Sequence, residues 1–201
     1  MTEPGYRRST GTPRGQARRA AILEQVTRDL AENGLPGFSL RRAARAAGTT
    51  HKVLLYHFEG HDELLLEAIQ LLRIQRIDRG LSVATLEPGA SLAQRVRAIW
   101  PILTSGEGEV LNQAIGLSMY DPVRYADLGR GSTQQYLPAL VAICPPAWTD
   151  TRKIEVSEMI LAVLRGLIID RVTSGDEARV EHAFAALDRA LDREEFTQSS
   201  T

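Results

Sequence analysis

The chain has 201 residues, 43% of them hydrophobic and 24% charged, with a formal net charge of −1 and one cysteine, Cys144. That size allows one large or two small globular domains with a real core, and the composition is that of an ordinary soluble protein. It offers no apolar run of the ~20 residues a membrane span needs, no apolar core of a secretory signal near the start, and no cysteine pair for a disulfide or zinc site, so a cytoplasmic location is expected.

Residues 1–13 hold Gly, Pro, Ser, Thr and Arg with little that is apolar, and read as a flexible basic tail. From about Arg14 to Asn33, Ile22, Leu23, Val26 and Leu30 recur at helical spacing, with Gly34 placed to end the helix. Leu40, Ala43, Ala44 and Ala47 repeat the pattern on a short second helix that Ser39 caps. A turn at Gly48 leads to a third helix, capped by Thr49 or Thr50 and stopped near Gly60.

A long helix is expected from about His61 to Ser82, ended by Glu87-Pro88-Gly89. Ser91-Leu-Ala-Gln94 has the form of a capping box for the next helix, which Pro101 kinks or shortens and Ser105-Gly-Glu-Gly108 ends. Further helices are expected over 109–119, from Asp121-Pro122 toward Pro145-Pro146, over 151–173 and over 176–194. No alternating run suggests a strand, so the chain reads as all-α with about nine helices. Its expected domains are a three-helix head at 14–60 and a body at 61–195, with short tails at 1–13 and 196–201.

The head is the informative part. Residues 1–60 carry ten Lys/Arg against five Asp/Glu, a balance of +5 that leaves −6 on the rest. A basic head on an acidic body suits phosphate contact at one end. Residues 38–64 have the pattern of a helix-turn-helix, in which one helix braces a second that enters the major groove. With Leu54 as the inward point of the third helix, Phe58 falls beside it, while Lys52 and Tyr56 point outward, flanked by His51, Val53, Leu55 and His57. Lys52 suits guanine or phosphate, Tyr56 and His57 suit phosphates, and Val53 or Leu55 suits thymine methyls.

Through Phe38-Ser39-Leu40, Ala43-Ala44, Ala47-Gly48-Thr49-Thr50, Leu54-Leu55-Tyr56-His57-Phe58 and Asp62-Glu63-Leu64, the sequence resembles the TetR family of bacterial transcriptional regulators. The close resemblance covers about residues 17–70; beyond it lie only helix count and Arg165-Gly166-Leu167. It implies a homodimer with a three-helix DNA-binding head and an all-helical effector-binding body. It also implies DNA contacts at Ser39, Leu40 and Arg41, and at Thr50, His51, Lys52, Val53, Leu55, Tyr56 and His57. The chain departs from the family pattern at Leu55, where a phosphate-bonding tyrosine is usual, and at His61, where a lysine is usual near the next helix start. His61 completes the expected DNA-binding set.

The middle of the chain, about 83–150, is where an effector cavity is expected, walled by Trp100, Met119, Tyr120, Tyr136 and Trp148. The scarcity of charge in 98–123 points to a neutral or cationic apolar ligand. The wide apolar faces of the last two helices supply the expected dimer interface: Ile160, Leu164, Leu167, Ile168, Val180, Phe184, Leu187 and Leu191. His57 and His61 are four apart, but Gly60 between them spoils metal-pair geometry. No catalytic residue, metal or cofactor is expected, since phosphate loop, nucleophile elbow and His-carboxylate set are all missing from the sequence. The expected function is a sequence-specific DNA-binding regulator, most simply a repressor released from its double-stranded operator by a small molecule. The competing readings are an all-α enzyme and a protein-interaction module with a helix-turn-helix-like head.

Overall fold

The structure is a computed structural model that describes residues 12–197. Among the described residues there are nine helices and no strand, so the all-α expectation holds. The expected tails, with Arg7 and Arg8, fall mostly outside the described residues. The chain forms two compact units, residues 1–72 and 73–201.

In the first unit, α1 (Pro13–Asn33) opens with proline at its first position and with the Thr12 hydroxyl accepting from the Gly15 N–H at 3.2 Å. It closes at Gly34, φ 70°, whose N–H donates to the Leu30 carbonyl. The helix α2 (Leu40–Ala46) is capped by Ser39 and α3 (His51–His57) by Thr50, each side chain accepting an N–H three residues on at 3.3 Å. Between them Gly48 takes φ 56°, a conformation that disfavours any side chain and lets the chain reverse within a few residues. Leu30, Ala43, Leu54, Phe58 and Leu64 are buried in the resulting core, and the small Ala43 lets the helices approach closely.

The helix α4 (His61–Ala84) begins in the first unit and continues in the second. The second unit adds α5 (Leu92–Leu103), α6 (Gly106–Tyr120), α7 (Ala126–Ile143), α8 (Asp150–Ser174) and α9 (Glu177–Phe196). Both halves of the Ser91–Gln94 capping box form, at 2.8 and 3.3 Å. Three boundaries differ from expectation. Pro101 lies within α5, near enough to its end that the helix runs on to Leu103. The break before α6 falls at Thr104 and Ser105, so α6 begins at Gly106, three residues before the expected 109. Asp121-Pro122 starts a turn, in which the Asp121 carboxylate accepts from the Arg124 N–H at 3.0 Å, and α7 begins only at Ala126.

The core of this unit is one cluster from α4, α5, α7, α8 and α9. It contains all eight residues expected at the dimer interface: Ile160, Leu164, Leu167, Ile168, Val180, Phe184, Leu187 and Leu191 are each buried within the single chain. The reason is visible at Phe184. Its ring lies 4.8 Å from that of Trp100, with the Arg97 guanidinium 3.9 Å over it, so α5 already covers this face of α9. Cys144 is buried too, and burial raises its thiol pKa.

Candidate DNA-reading surface and ligand cavity

The first unit presents α3 as the sequence predicts on its inner side. Leu54 and Phe58 are buried, while His51, Lys52 and Tyr56 are exposed and Val53 and Leu55 half-buried. Arg41 is exposed at the start of α2, with Ser39 and Leu40 half-buried beside it. The hydroxyls of Ser39 and Thr50 are occupied in capping. Three consecutive half- or fully exposed positions at 51–53 followed by Tyr56 make a ridge that the unit's own core supports from behind.

One expected contact, His57, is corrected. His57 is buried, only 9% exposed, with its ring edge-on to Tyr56 at 5.0 Å and its Nδ1 without a partner. It sits where α3 ends against the body of its unit, a position that a seven-residue helix cannot rotate toward a duplex while Leu54 faces inward. His61, at the start of α4, is half-buried, its Nδ1 2.7 Å from Asp62 Oδ1 and its ring 5.2 Å from Phe38.

Burial lowers the His57 pKa, and the charges of Arg19 and Arg18 act in the same direction. Between that lowered value and the unfolded one near ~6.5, the unfolded chain binds a proton that the folded chain does not. His57 therefore favours folding fully above about pH 6.5 and loses this effect as pH falls through the folded value. Urea unfolding at pH 7.5 and 5.5 should show a lower midpoint at the acid pH, and His57→Gln should lessen the difference.

What the sequence left unassigned is the anchor behind this ridge. Arg19 of α1 donates to both oxygens of Glu67 at 2.7 and 2.5 Å, to Glu63 at 3.3 Å and to the His57 carbonyl at 3.1 Å. Its guanidinium also lies 4.4 Å from the Phe58 ring centroid. One side chain thus satisfies an end carbonyl of α3 and fixes α3 to α1 and to the start of α4. Arg42 is likewise internal, paired with Asp29 at 2.7 Å and donating to the Gly34 and Pro36 carbonyls at 2.8 and 2.9 Å. The outward positive charge of the head accordingly rests on Arg14, Arg18, Arg28, Arg41, Arg45 and Lys52, all exposed.

The second unit contains a cavity with about 770 Å³ of empty space, its mouth included. Of the five side chains expected to wall it, Tyr136 does. Met119 and Tyr120, 74% and 87% exposed, stand at the end of α6 in solvent, and Trp148 is core. Trp100 packs on Phe184 and is absent from the cavity wall.

The wall is mostly apolar, from residues such as Ile77, Leu81 and Ile99, but three arginines line it: Arg73, Arg76 and Arg165. Arg73 is 1% and Arg76 5% exposed. Arg73 donates to Gln135 Oε1 at 2.7 Å and to the Leu128 carbonyl at 3.0 Å, and Arg76 to the Leu103 carbonyl at 3.3 Å. Arg165 donates to the Ser132 and Thr133 hydroxyls at 2.8 and 3.2 Å. Every one of these acceptors is neutral. Desolvation lowers the pKa of all three, with Tyr136 acting against it at each; at Arg73 the charges of Arg165 and Arg76 add to the lowering. The Nε atoms of Arg73 and Arg76, both buried, have no partner. The expected neutral or cationic preference was weighed on residues 98–123 alone, whereas these three charges come from α4 and α8, outside that segment.

Among the described residues there is no group of three or more His, Cys, Asp or Glu side chains that holds the geometry of a metal site, and no helix long and apolar enough to cross a membrane.

No protein-family model matches the chain, and no curated protein matches it. Solved structures do. A TetR transcriptional regulator from Legionella pneumophila is 17% identical, with 85% of this chain and 95% of that one covered at a TM-score of 0.63. The multidrug binding protein EbrR, in complex with proflavin, is 19% identical over 86% of this chain and 98% of its own, TM-score 0.65. A protein from Saccharomonospora viridis described as a transcriptional regulator, in complex with choline, is 21% identical over 88% and 96%, TM-score 0.62. At these identities the likeness extends along nearly the whole of each chain, and it establishes that this protein has the fold of the TetR-family transcriptional regulators.

Proposed function

We propose that the protein is a sequence-specific DNA-binding regulator, a homodimeric repressor whose operator affinity falls when a small molecule fills the cavity of the second unit. The observation that carries the reading is the α3 ridge: His51, Lys52 and Tyr56 are exposed on a helix whose opposite face, Leu54 and Phe58, is locked in the core. A soluble surface gains nothing from showing Tyr56 beside Val53 and Leu55 unless a partner covers them. Structures of the same fold that hold proflavin or choline support a body that takes small molecules. The cavity is lined in part by Arg73, Arg76 and Ile77 of α4, the helix that leads back to the head. A ligand acts on DNA affinity only through its differential affinity for the two states, so the proposed effector is one that prefers the α4 position of the DNA-free form.

The reading is tested by gel shift with the DNA upstream of the protein's own gene, against a scrambled duplex, over a salt series. A specific complex whose affinity falls steeply with salt is expected. Equal affinity for both duplexes, or none, removes the reading in favour of a protein-interaction module.

The dimer surface is proposed anew, on the exposed faces of α8 and α9. Met159, Ala162, Gly166 and Ile169 are exposed at 3-4-3 spacing on α8, as are Ala183 and Ala186 on α9. Nothing of the same chain lies within 4 Å of a Cβ built on Gly166. Gly166→Arg should therefore leave folding intact or slightly improved, a helix-interior glycine being about 0.5–1 kcal/mol unfavourable. Sedimentation should find it monomeric where the parent is dimeric. An unchanged dimer would place the interface elsewhere.

A further inference from the structure

Three guanidinium groups around one cavity, with hydrogen bonds to neutral acceptors only, form an unusual arrangement. Arginine does not lose its proton in a protein, so burial cannot be relieved by neutralisation as it is for lysine or histidine. Buried charges are ordinarily paired, and the cavity wall contains no Asp or Glu. Glu107, an acid that acts on Arg76 through space, is itself paired with Arg79. Arg73 and Arg76 keep their Nε–H donors unused, and Tyr136 stands beside them, with Arg76 5.8 Å from its ring centroid. Apart from Asn112 and Ser132 the remaining wall is apolar, from Leu81, Ile99 and Ile168 among others.

We infer that the cavity takes an amphipathic organic anion: a single carboxylate on an apolar body, its head among Arg73, Arg76, Arg165 and Tyr136 and its body along the aliphatic wall. A carboxylate offers two oxygens to planar guanidinium forks, supplies the missing negative charge, and accepts from donors now idle. A neutral ligand leaves the charge uncompensated, and a cation adds to it. This assignment gives a ligand class to the effector cavity of the proposed regulator and rests on that reading only for its consequence at DNA.

The test is calorimetric titration of the full chain alone, without DNA, with hexanoate, octanoate and decanoate, the matching alcohols, decyltrimethylammonium and decyl phosphate. At least one carboxylate should bind roughly tenfold or more tighter than its alcohol, with the ammonium ion not binding. Arg165→Gln, at a half-exposed position, and Arg76→Gln should each bring the carboxylate toward the alcohol's affinity and leave the alcohol unchanged, with circular dichroism reporting an intact fold. An alcohol or ammonium ion binding as well as the carboxylate, no carboxylate binding, or Arg165→Gln retaining the full preference overturns the assignment. Decyl phosphate outbinding decanoate overturns the carboxylate head. Failure to find an operator removes the regulatory reading and leaves these titrations unaffected, so the two failures are distinguishable.

Discussion

Replacing Lys52 or Tyr56 by alanine should lower specific DNA affinity by a factor of about 30 or more, since each such side chain contributes about 1–3 kcal/mol per half-site and a dimer loses it twice. The Lys52 variant itself should be unharmed. Lys52 is exposed and makes no hydrogen bond or ion pair among those of the described residues, so its removal belongs with surface changes of about ±0.5 kcal/mol. Non-specific binding should persist at low salt, because Arg41, Arg45, Arg18 and the other exposed arginines of the head remain. The two variants separate two kinds of contact. If Lys52 meets a base edge, its loss relaxes specificity at one position. If it meets a phosphate, affinity drops evenly across sequences and the salt slope decreases by about one. Gel shifts on a set of single-base operator variants distinguish these. Wild-type affinity in both alanine variants would mean that α3 is not the reading helix.

The second large effect concerns stability, at Gly108. A Cβ there would stand 2.4 Å from the Leu103 carbonyl oxygen and 3.3 Å from its carbon, both backbone atoms with no freedom to swing aside. The turn is further fixed by the Gly108 N–H donating to the Ser105 carbonyl at 2.8 Å and by Arg76 donating to the same Leu103 oxygen at 3.3 Å. Gly108→Ala must therefore displace the start of α6, at a cost of roughly 2–4 kcal/mol. For a chain of this size that corresponds to a melting midpoint lower by about 5–15 °C. Gly116, on the same helix, is the control. Nothing lies within 4 Å of a Cβ there, so Gly116→Ala should hold or raise the midpoint by removing backbone freedom from the unfolded chain. Equal midpoints for the two variants would contradict the close approach at Leu103.

The head was legible because its instructions are local. Ser39 and Thr50 cap short helices, Gly48 reverses the chain, and the spacing of Leu54 to Phe58 sets an inward face; each operates within a few residues. The same rules found the Ser91–Gln94 box and the positions on α9 that point inward. Spacing identifies a seam but not the helix that fills it. Val180, Phe184, Leu187 and Leu191 are buried as a seam, against α5 and α8 of their own chain, where a second subunit was expected.

Residue type misled at Met119 and Tyr120. Adaptable and aromatic side chains are common in pockets, yet these two extend into solvent at the C-terminal end of α6. Arg73 and Arg76 were passed over because arginine on an amphipathic helix ordinarily faces water. A signal was present: Leu65, Ile69 and Leu72 step along α4 at 4-3 spacing, and the next step of four falls on Arg76. A charge interrupting an apolar stripe marks a place where the interior has to accommodate it. Arg19 and Arg42 had no such mark, since only the folded chain brings Glu67 and Asp29 to them.

Footprinting the dimer on the DNA upstream of its gene bears most directly on the claim that paired α3 ridges read a duplex. Two protected patches are predicted on one face of the DNA, about one helical turn or ~34 Å between centres, in a sequence with two-fold symmetry. Both should vanish together in the Tyr56→Ala protein. A single unpaired patch, protection that ignores sequence, or an unaltered footprint from the variant would contradict the account.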